Sequence, residues 1–361
     1  MKNIPQIIKG INIAQSFPVD FAVKNFTVKK SSWRNGMLVR MPNHLGDAVM
    51  ALPALKALRS ILPENHTLVV VCPESCCQLY ESIPEIADTV IGIPRIHTCW
   101  DMETISQIRR LRLGIGVLFN NSFRDCLMLK ASGIPELYGY NARCRRFLLK
   151  NSLPFKSVKK GKMALCHQAN LYYALATAFG AAKWDGSVPE LAASPSATKQ
   201  EKILVISPGA AYGDAKRYPA SYCRRIAELW IERSGKVIIT GTANENICCD
   251  EIIKDLPPEK AVNLCGRTPE LKDLMQVLKN ADAVLANDSG TMHLAAALGC
   301  RGVTVFGPTD YTSTAPVSDK WKLIVSSVPC SPCRHRNCPQ KSQYCMQEIM
   351  PETVFNLLET I

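Results

Sequence analysis

The stretch that restricts the fold most is residues 281–310, because it predicts a strand, a tight turn, a helix and a second strand in direct succession. Residues 283–286 are an apolar run typical of a buried strand, and residues 293–298 continue as a helix. The turn between them, NDSGT, combines capping side chains with Gly290, so backbone N–H groups at the helix start can face an anion. A second strand is predicted over residues 303–306, and in open α/β sheets ligands bind at the carboxyl ends of strands. The turn therefore predicts a phosphate site.

The same succession of strand, loop and helix recurs on both sides of residues 184–201, a segment that predicts a linker because it has few large apolar side chains. This alternation predicts two α/β domains with mainly parallel sheets, over residues 37–183 and 202–346. Residues 1–36 are then an N-terminal basic extension, and residues 347–361 a C-terminal helix. Buried strands are predicted over residues 37–41, 67–72, 89–93, 114–119, 203–206, 237–240 and 261–264. Helices are predicted over residues 48–62, 75–82, 102–111, 164–179, 220–234, 247–253 and 269–280.

Positive charge is concentrated in the first half of the chain. Residues 1–190 hold 24 basic and 13 acidic side chains, whereas residues 191–361 hold 19 and 18, for a net charge of +12. Residues 138–162, predicted as a basic loop region, carry much of the excess. This imbalance favours an anionic partner for the first half: nucleic acid, an acidic membrane surface or a phosphorylated substrate. A solvated basic face would have the same composition.

Membrane-spanning and targeting signals are weak. No apolar run reaches about 18 residues, and the N-terminus lacks an apolar core followed by a cleavage site. We therefore expect a cytoplasmic protein without a membrane span. Residues 1–36 mix six basic residues and one acid with apolar side chains. This mixture is compatible with peripheral attachment to an anionic membrane, with an extra strand, or with a loosely packed arm.

Most of the sixteen cysteines, such as Cys126, Cys166 and Cys265, lie in apolar patterns and are expected to behave as small buried hydrophobes. A cluster near the C-terminus has a CxxC pair followed by spacings of four and six residues. Four thiols are enough for zinc, but these spacings match no common zinc-finger or ferredoxin pattern. Reduced or disulfide-paired cysteines are the default expectation, and no metal is predicted. The cluster consists of Cys330, Cys333, Cys338 and Cys345.

Several ordered motifs together resemble one enzyme family. They are GD after the first strand, PGAAYGDAKRYP, DSGTMH, FGPTD and CSPCRHRNCP, and the resemblance extends over about residues 37–361. The chain resembles the ADP-heptose:lipopolysaccharide heptosyltransferases of glycosyltransferase family 9. The resemblance implies a GT-B fold, in which two Rossmann-like domains with parallel sheets face one another across a cleft. The N-terminal domain would bind the acceptor and the C-terminal domain the nucleotide-sugar.

The same resemblance implies the reaction and its partners. An inverting enzyme of this family moves L-glycero-D-manno-heptose from ADP-heptose to the inner-core heptose of lipopolysaccharide. It needs no cofactor and meets its lipid-anchored acceptor at the cytoplasmic face of the inner membrane. Other members would add the first or a later heptose, or another sugar. A nucleic-acid-binding protein is the alternative from a different class, but the chain has no zinc-finger, RNP-like or KH motif. A dinucleotide-dependent oxidoreductase is disfavoured, because neither PNHLGD nor NDSGTMH is a GxGxxG fingerprint.

Transfer from a nucleotide-sugar requires a base for the acceptor hydroxyl and positive or N–H groups for the departing diphosphate. By resemblance, Asp47 is the base, and Lys216 contacts the diphosphate with Arg217 as a weaker companion. From the residues alone, Asp47 is also a candidate helix N-cap and Lys216 a solvated helix entrance.

The turn in residues 281–310 is matched to donor-binding positions. Ser289, Gly290 and Thr291 would present N–H and hydroxyl groups to the phosphates, and Asp288 would accept hydrogen bonds from sugar hydroxyls. His293, one helical turn further on, would donate to a phosphate or be an ordinary packed histidine. Gly307, Pro308 and Thr309 would shape the pocket wall, and Glu245 is the nearest acid for the adenosine ribose, although it is offset from some family members.

Acceptor-binding residues are expected after the strand at 114–119 and in the basic loop region. The segment NNSFR follows the carboxyl end of that strand, and Arg side chains form forked hydrogen bonds with acid sugars and phosphates. A solvent-facing position without any contact is the alternative for each basic residue. The predicted set is Asn121, Ser122, Arg124, Arg143, Arg145 and Arg146.

Overall fold

A computed structural model of the chain describes residues 4–94, 99–155, 166–191, 201–210 and 213–361. Residues 156–162 of the predicted basic loop region and residues 192–200 of the predicted linker lie outside these ranges, as do residues 211–212. The described residues divide into two compact units. The N-terminal unit holds residues 19–155 and 168–191, and the C-terminal unit holds residues 4–18, 166–167 and 201–361. No helix in these ranges has the length and apolar character needed to cross a membrane.

The first residues belong to the C-terminal unit. β1 (Gln6–Lys9) pairs antiparallel with a strand at Trp321–Val325, and α1 (Ile13–Ser16) follows it. Residues 19–36 belong to the N-terminal unit, where Phe26 packs against two aromatic rings. The predicted extension over residues 1–36 is therefore corrected. Its start supplies backbone hydrogen bonds to a sheet edge, and its end covers part of a different core.

The N-terminal unit contains a six-stranded parallel sheet with the strand order β4-β3-β2-β5-β6-β7. The strands are β2 (Gly36–Arg40), β3 (Thr67–Pro73), β4 (Thr89–Ile93), β5 (Ile115–Leu118), β6 (Glu136–Asn141) and β7 (Asn151–Pro154). The helices are α2 (Leu45–Met50), α3 (Leu52–Ile61), α4 (Cys77–Glu81), α5 (Met102–Leu111), α6 (Phe123–Ala131) and α7 (Gln168–Ala178). Central strand β2 is buried along its whole length, as expected for a parallel strand covered on both faces.

Part of the predicted basic loop region is sheet rather than loop. β6 and β7 pair in parallel, and Tyr138, Tyr140 and Leu153 are buried. A strand buried on both faces shows no polar alternation, so the sequence gives little strand signal here. Among the described residues of this region, the basic side chains lie on the connection between the two strands, at residues 142–150.

The C-terminal unit contains a seven-stranded sheet with the order β1-β13-β12-β11-β8-β9-β10, parallel except for β1. Its other strands are β8 (Ile203–Ser207), β9 (Lys236–Ile239), β10 (Ala261–Asn263), β11 (Ala283–Asn287), β12 (Gly302–Phe306) and β13 (Trp321–Val325). The helices are α8 (Ala220–Glu232), α9 (Asn246–Ile253), α10 (Leu271–Lys279), α11 (Gly290–Ala297), α12 (Tyr311–Thr314), α13 (Tyr344–Gln347) and α14 (Pro351–Glu359). Phe355 and Leu358 of α14 are buried with Trp230 and Ile239, so the predicted C-terminal helix is part of this unit's core.

Each sheet has one point at which the strand order reverses. In the N-terminal unit the chain runs outward through β2, β3 and β4 and then returns to place β5 on the other side of β2. In the C-terminal unit β8, β9 and β10 run outward, and β11 lies on the other side of β8. Ligands of open α/β sheets bind at such reversals, beyond the carboxyl ends of the two strands. The loops after β2, β5, β8 and β11 are the ones that carry the predicted site residues.

Candidate active site

The reversal in the C-terminal unit brings two motif loops together. Lys216, in the loop after β8, lies with its Nζ 2.7 Å from Oδ2 of Asp288, which follows β11. Both side chains are nearly buried, with 11% and 5% of their surface exposed. Asn287 ties the same loops, because its Nδ2 donates to the Pro208 carbonyl at 2.7 Å and its Oδ1 accepts from the Tyr218 N–H at 3.2 Å. The two loops are therefore a single hydrogen-bonded assembly.

The charge state of Asp288 depends on Lys216. Burial alone would raise the pKa of the Asp288 carboxyl, but the adjacent ammonium outweighs this and holds that pKa below its ordinary value. The carboxylate thus stays ionised and keeps Lys216 beside the turn. The sequence predicts that Asp288 faces a sugar, whereas in the structure its carboxylate is buried against Lys216, with Thr314 Oγ1 at 3.4 Å from Oδ2.

The turn itself has an unused donor. Ser289 is the N-cap of α11, yet its side chain makes no capping hydrogen bond. Its Oγ is buried and has no hydrogen-bond partner among the residues that the structure describes. The first N–H groups of α11, from Gly290 and Thr291, have no intrahelical acceptor. Hydroxyl and N–H donors beside an ammonium form an arrangement suited to a phosphate group.

Two buried histidines lie near this turn. His293, on α11, is 4% exposed, and burial lowers its pKa to about 4. Burial also lowers the pKa of His167 to about 4, and its Nε2 lies 2.9 Å from the Ala315 carbonyl oxygen. Both rings are therefore neutral near pH 7. This burial favours the packing alternative for His293. His167 was not predicted, because it is separated by more than a hundred residues from the loops that it approaches.

The loop after β12 is held by its own ion pair. Nη2 of Arg334 lies 2.6 Å from Oδ2 of Asp310, and Oδ1 of Asp310 accepts hydrogen bonds from the N–H and hydroxyl of Thr312. At Gly307 a Cβ would lie 2.5 Å from Met346 Sδ. Glycine is therefore needed for this loop to pack against α13. The expected wall-forming role of residues 307–309 stays a prediction.

Glu245 lies close to the loop after β8. Its carboxylate accepts from the Thr242 N–H at 2.7 Å, which starts the helical turn before α9. A Cβ on Gly209 would lie 2.0 Å from Glu245 Oε1, so a larger residue at position 209 would displace this carboxylate. The structure thus places the acid at the same sheet edge as Lys216, and its contact with a ribose stays a prediction.

The four cysteines of the cluster line a cavity of about 360 Å³ and do not surround a single metal-binding point. Within the described ranges, no group of three or more His, Cys, Asp or Glu side chains is arranged to hold a metal ion. Burial raises the pKa of Cys345 to about 12, so this thiol stays protonated. The segment supports the site loops, since the Arg336 carbonyl accepts from the Ala215 N–H at 3.0 Å and the Pro308 carbonyl accepts from the Arg334 N–H at 2.6 Å. All four predicted cysteines line the cavity: Cys330, Cys333, Cys338 and Cys345.

In the N-terminal unit, Asp47 lies in the first turn of α2, after β2. His44 occupies the N-cap position, so Asp47 is not the N-cap residue. The Tyr172 hydroxyl donates a hydrogen bond to Asp47 Oδ1 at 3.1 Å. Burial and the nearby Asp47 charge raise the pKa of Tyr172 well above its ordinary value, so the phenol remains a donor. Asp47 is itself partly exposed.

A buried ion pair that the sequence did not predict lies at the carboxyl end of β2. Nε of Arg40, the last residue of β2, lies 2.8 Å from Oδ2 of Asp125 in α6, and both side chains are essentially unexposed. Arg40 also donates to Asn43 Oδ1 at 2.6 Å, and Asn120 donates to Asp125 Oδ2 at 2.6 Å. This network joins the loop after β2 to the loop after β5. It therefore orients both sides of the reversal in the N-terminal unit.

The predicted acceptor residues divide into those that hold the local structure and those whose side chains are exposed. Arg145 is fully buried and donates to the Tyr140 and Asn120 carbonyls and to Asn121 Oδ1, at 3.0, 2.7 and 3.1 Å. Its prediction as a ligand contact is corrected: its donors hold the loop that contains Asn121. Ser122 caps α6. The partly or fully exposed basic side chains at this edge are Arg124, Arg143 and Arg146.

Comparisons with known proteins agree with this architecture. A family model described as glycosyltransferase family 9 (heptosyltransferase) matches residues 103–343. Lipooligosaccharide heptosyltransferase 2 of Campylobacter jejuni is 26% identical over 339 residues, which make up 90% of this chain and 98% of that protein. The solved structure of E. coli ADP-heptose lps heptosyltransferase II has 25% sequence identity and a TM-score of 0.75, covering 90% of this chain and 97% of that one. An E. coli heptosyltransferase solved with ADP has 15% identity and a TM-score of 0.69, covering 90% and 99%. These matches confirm the predicted α/β GT-B fold class.

Proposed function

Because the chain belongs to glycosyltransferase family 9, the heptosyltransferase family, we propose that it transfers L-glycero-D-manno-heptose from ADP-heptose to the inner-core heptose of lipopolysaccharide. The observation that carries this proposal is the position of the motif residues. Asp47 lies at the strand-order reversal of one sheet, and Lys216 lies with the turn at residues 288–291 at the reversal of the other. Relatives named heptosyltransferase 2 support the choice of an inner-core acceptor.

The C-terminal unit would bind the donor. Lys216, Ser289 Oγ and the N-terminus of α11 supply the positive charge and hydrogen-bond donors that a diphosphate requires. That one similar E. coli heptosyltransferase was solved with ADP supports an adenosine diphosphate donor. Glu245, at the same sheet edge, is the candidate ribose contact.

The N-terminal unit would supply the base. Asp47 would take the proton from an acceptor hydroxyl, and the resulting oxygen would attack the anomeric carbon of the donor. The bond between that carbon and the diphosphate oxygen breaks, the anomeric configuration inverts, and Lys216 with the turn stabilises the negative charge of the departing ADP. The hydrogen bond from Tyr172 would orient the Asp47 carboxylate toward this task.

The acceptor is proposed to be the lipid-anchored lipopolysaccharide core, met at the cytoplasmic face of the inner membrane. Arg124, Arg143 and Arg146 would contact its acid sugars and phosphates, because they are the predicted arginines that are not buried. We also propose that transfer needs no cofactor, since donors from the protein can balance the charge of the diphosphate. Treatment with a metal chelator is then expected to leave the rate unchanged.

The experiment that tests the proposal is transfer by the purified protein from ADP-heptose to acceptors carrying no heptose, one heptose or two, followed by mass spectrometry. We expect the one-heptose acceptor to gain a single heptose and the other two acceptors to gain none. Elongation of the heptose-free acceptor alone would assign the protein to the family members that add the first heptose. Absence of transfer to all three would contradict a heptosyltransferase function for this chain.

A further inference from the structure

One exposed surface of the N-terminal unit combines positive charge with a large aromatic side chain. Phe147 lies on the connection between β6 and β7 with 74% of its surface exposed. Arg143, Arg146 and Lys150 lie within four residues of it and are also exposed. We call these four residues the aromatic-basic patch. Between Glu136 and Asp185 the sequence contains nine Lys and Arg residues and no Asp or Glu. Glu136 itself has its Oε1 4.0 Å from Nζ of Lys150, which keeps 52% of its side chain exposed.

Phe147 is exposed because the residues on either side of it are anchored in the N-terminal unit. Arg145 and Leu149, on either side of it, are buried, so the short helical turn at Arg146–Leu148 is anchored at both ends. The centroid of the Phe147 ring lies 6.0 Å from that of Phe123. The turn thus presents an aromatic ring outward while its neighbours hold the backbone in place.

The patch is connected to the predicted acceptor loop. Phe123 is the first residue of α6, directly after Ser122, and Arg145 bonds to the backbone and side chain of the loop at residues 120–122. A partner bound to the patch would therefore sit beside the loop after β5. Aromatic rings flanked by cations are typical of surfaces that enter the interface of an anionic bilayer.

We propose that the aromatic-basic patch docks the protein on an anionic membrane surface. Phe147 inserts among the headgroups, and the three cations attract the anionic surface, Arg143 and Arg146 in addition to their proposed contacts with the acceptor. The inference rests on the proposed function, because a lipid-anchored acceptor requires the N-terminal unit to work at a bilayer. Its new content is the assignment of the docking surface to these four residues, and to Phe147 in particular.

The test measures binding of the full chain to vesicles of phosphatidylcholine with and without phosphatidylglycerol. We expect the wild type to bind the anionic vesicles at least about tenfold more tightly, and less tightly as salt rises. Phe147→Ser and the double variant Arg143→Gln/Arg146→Gln are each expected to weaken that binding about tenfold or more. A matched control is Met102→Ser/Arg110→Gln on α5, which also removes an exposed apolar and an exposed basic side chain. It should bind as the wild type does.

Two further measurements keep the inference separate from the proposed function. Phe147→Ser should unfold at the wild-type urea concentration and transfer heptose to a lipid-free one-heptose acceptor at the wild-type rate. The inference is overturned if the wild type does not prefer anionic vesicles, or if Phe147→Ser binds them normally. It is also overturned if Phe147→Ser loses activity on the lipid-free acceptor while vesicle binding is unchanged, because the patch would then be an acceptor subsite. Failure of every protein to transfer heptose, with patch-dependent vesicle binding intact, would contradict the proposed function alone.

Discussion

Replacing Lys216 with Met tests whether this side chain serves the fold, the donor, or both. The substitution keeps the length of the side chain but leaves Asp288 buried without its cation. Removing one member of a buried pair costs about 3–5 kcal/mol. Because Lys216 retains 11% exposure, we expect the lower end, about 3 kcal/mol, near pH 7. This loss should shrink as the pH falls, since burial raises the pKa of an unpaired Asp288 and protonation then removes the buried charge.

The double variant Lys216→Met/Asp288→Asn separates the two roles. Asn carries no charge, so most of the lost stability should return in urea unfolding. Affinity for ADP should not return, because a hydrogen bond from a charged donor contributes about 1.5–3 kcal/mol, or about 10- to 150-fold in Kd. Arg217→Met is the matched control, since Arg217 is the neighbouring cation and pairs with the exposed Asp214. It should change the free energy of unfolding by less than about 1 kcal/mol. If calorimetry shows that the double variant binds ADP with wild-type affinity, Lys216 is a structural residue and its diphosphate role is refuted.

Three other changes have defined outcomes. Tyr172→Phe removes a hydrogen bond to the charged form of Asp47, so the acid limb of the pH dependence of transfer should move to higher pH. Arg40→Met leaves a buried carboxylate without its cation and should cost about 3–5 kcal/mol in urea unfolding. His167 and His293, with pKa values of about 4, stay neutral in the folded state while the unfolded chain takes up protons below about pH 6.5. Each should therefore lower the free energy of unfolding by up to about 1.4 kcal/mol per pH unit from pH 6.5 to 4, and a variant with both replaced by Gln should show a shallower slope.

Matched variants accompany two of these changes. Tyr173→Phe removes a hydroxyl that donates to the Ala182 carbonyl and not to Asp47 among the described residues, so the acid limb should stay in place. An equal shift in both tyrosine variants would contradict the role assigned to Tyr172. Arg59→Met breaks a half-exposed pair with Asp88 and should cost at most about 1 kcal/mol. If Arg40→Met also costs at most about 1 kcal/mol, the ion pair between Arg40 and Asp125 does not hold the loops after β2 and β5 together.

Local sequence patterns predict those parts of the fold that depend on residues close together in the chain. The apolar runs and small-residue loops predict most strands and helices, and they place Asp47, Lys216 and residues 288–291 just after strands. The partner of β1 could not be predicted in this way. Its four residues gain stability from backbone pairing with a strand more than three hundred positions away, and no local pattern encodes such a pairing.

The same limit applies to the charged residues of the site. Arg40 ends an apolar strand and Asp125 lies in the first turn of a helix 85 positions later, so only the pairing of β2 with β5 brings them together. Arg143, Arg145 and Arg146 are indistinguishable by composition. In the structure Arg143 and the residue after it have φ values of 49° and 58°, and this left-handed turn directs the chain so that Arg145 alone lies inside.

Single-turnover transfer with Asp47→Asn tests whether Asp47 is the base of the proposed reaction. The variant is mixed with ADP-heptose and a one-heptose acceptor, and its affinity for ADP is measured in parallel. We expect unchanged ADP affinity and a rate of transfer at least about a hundredfold below that of the wild type, the contribution expected of a general base. A near-wild-type rate in a variant that binds ADP normally would contradict this role for Asp47.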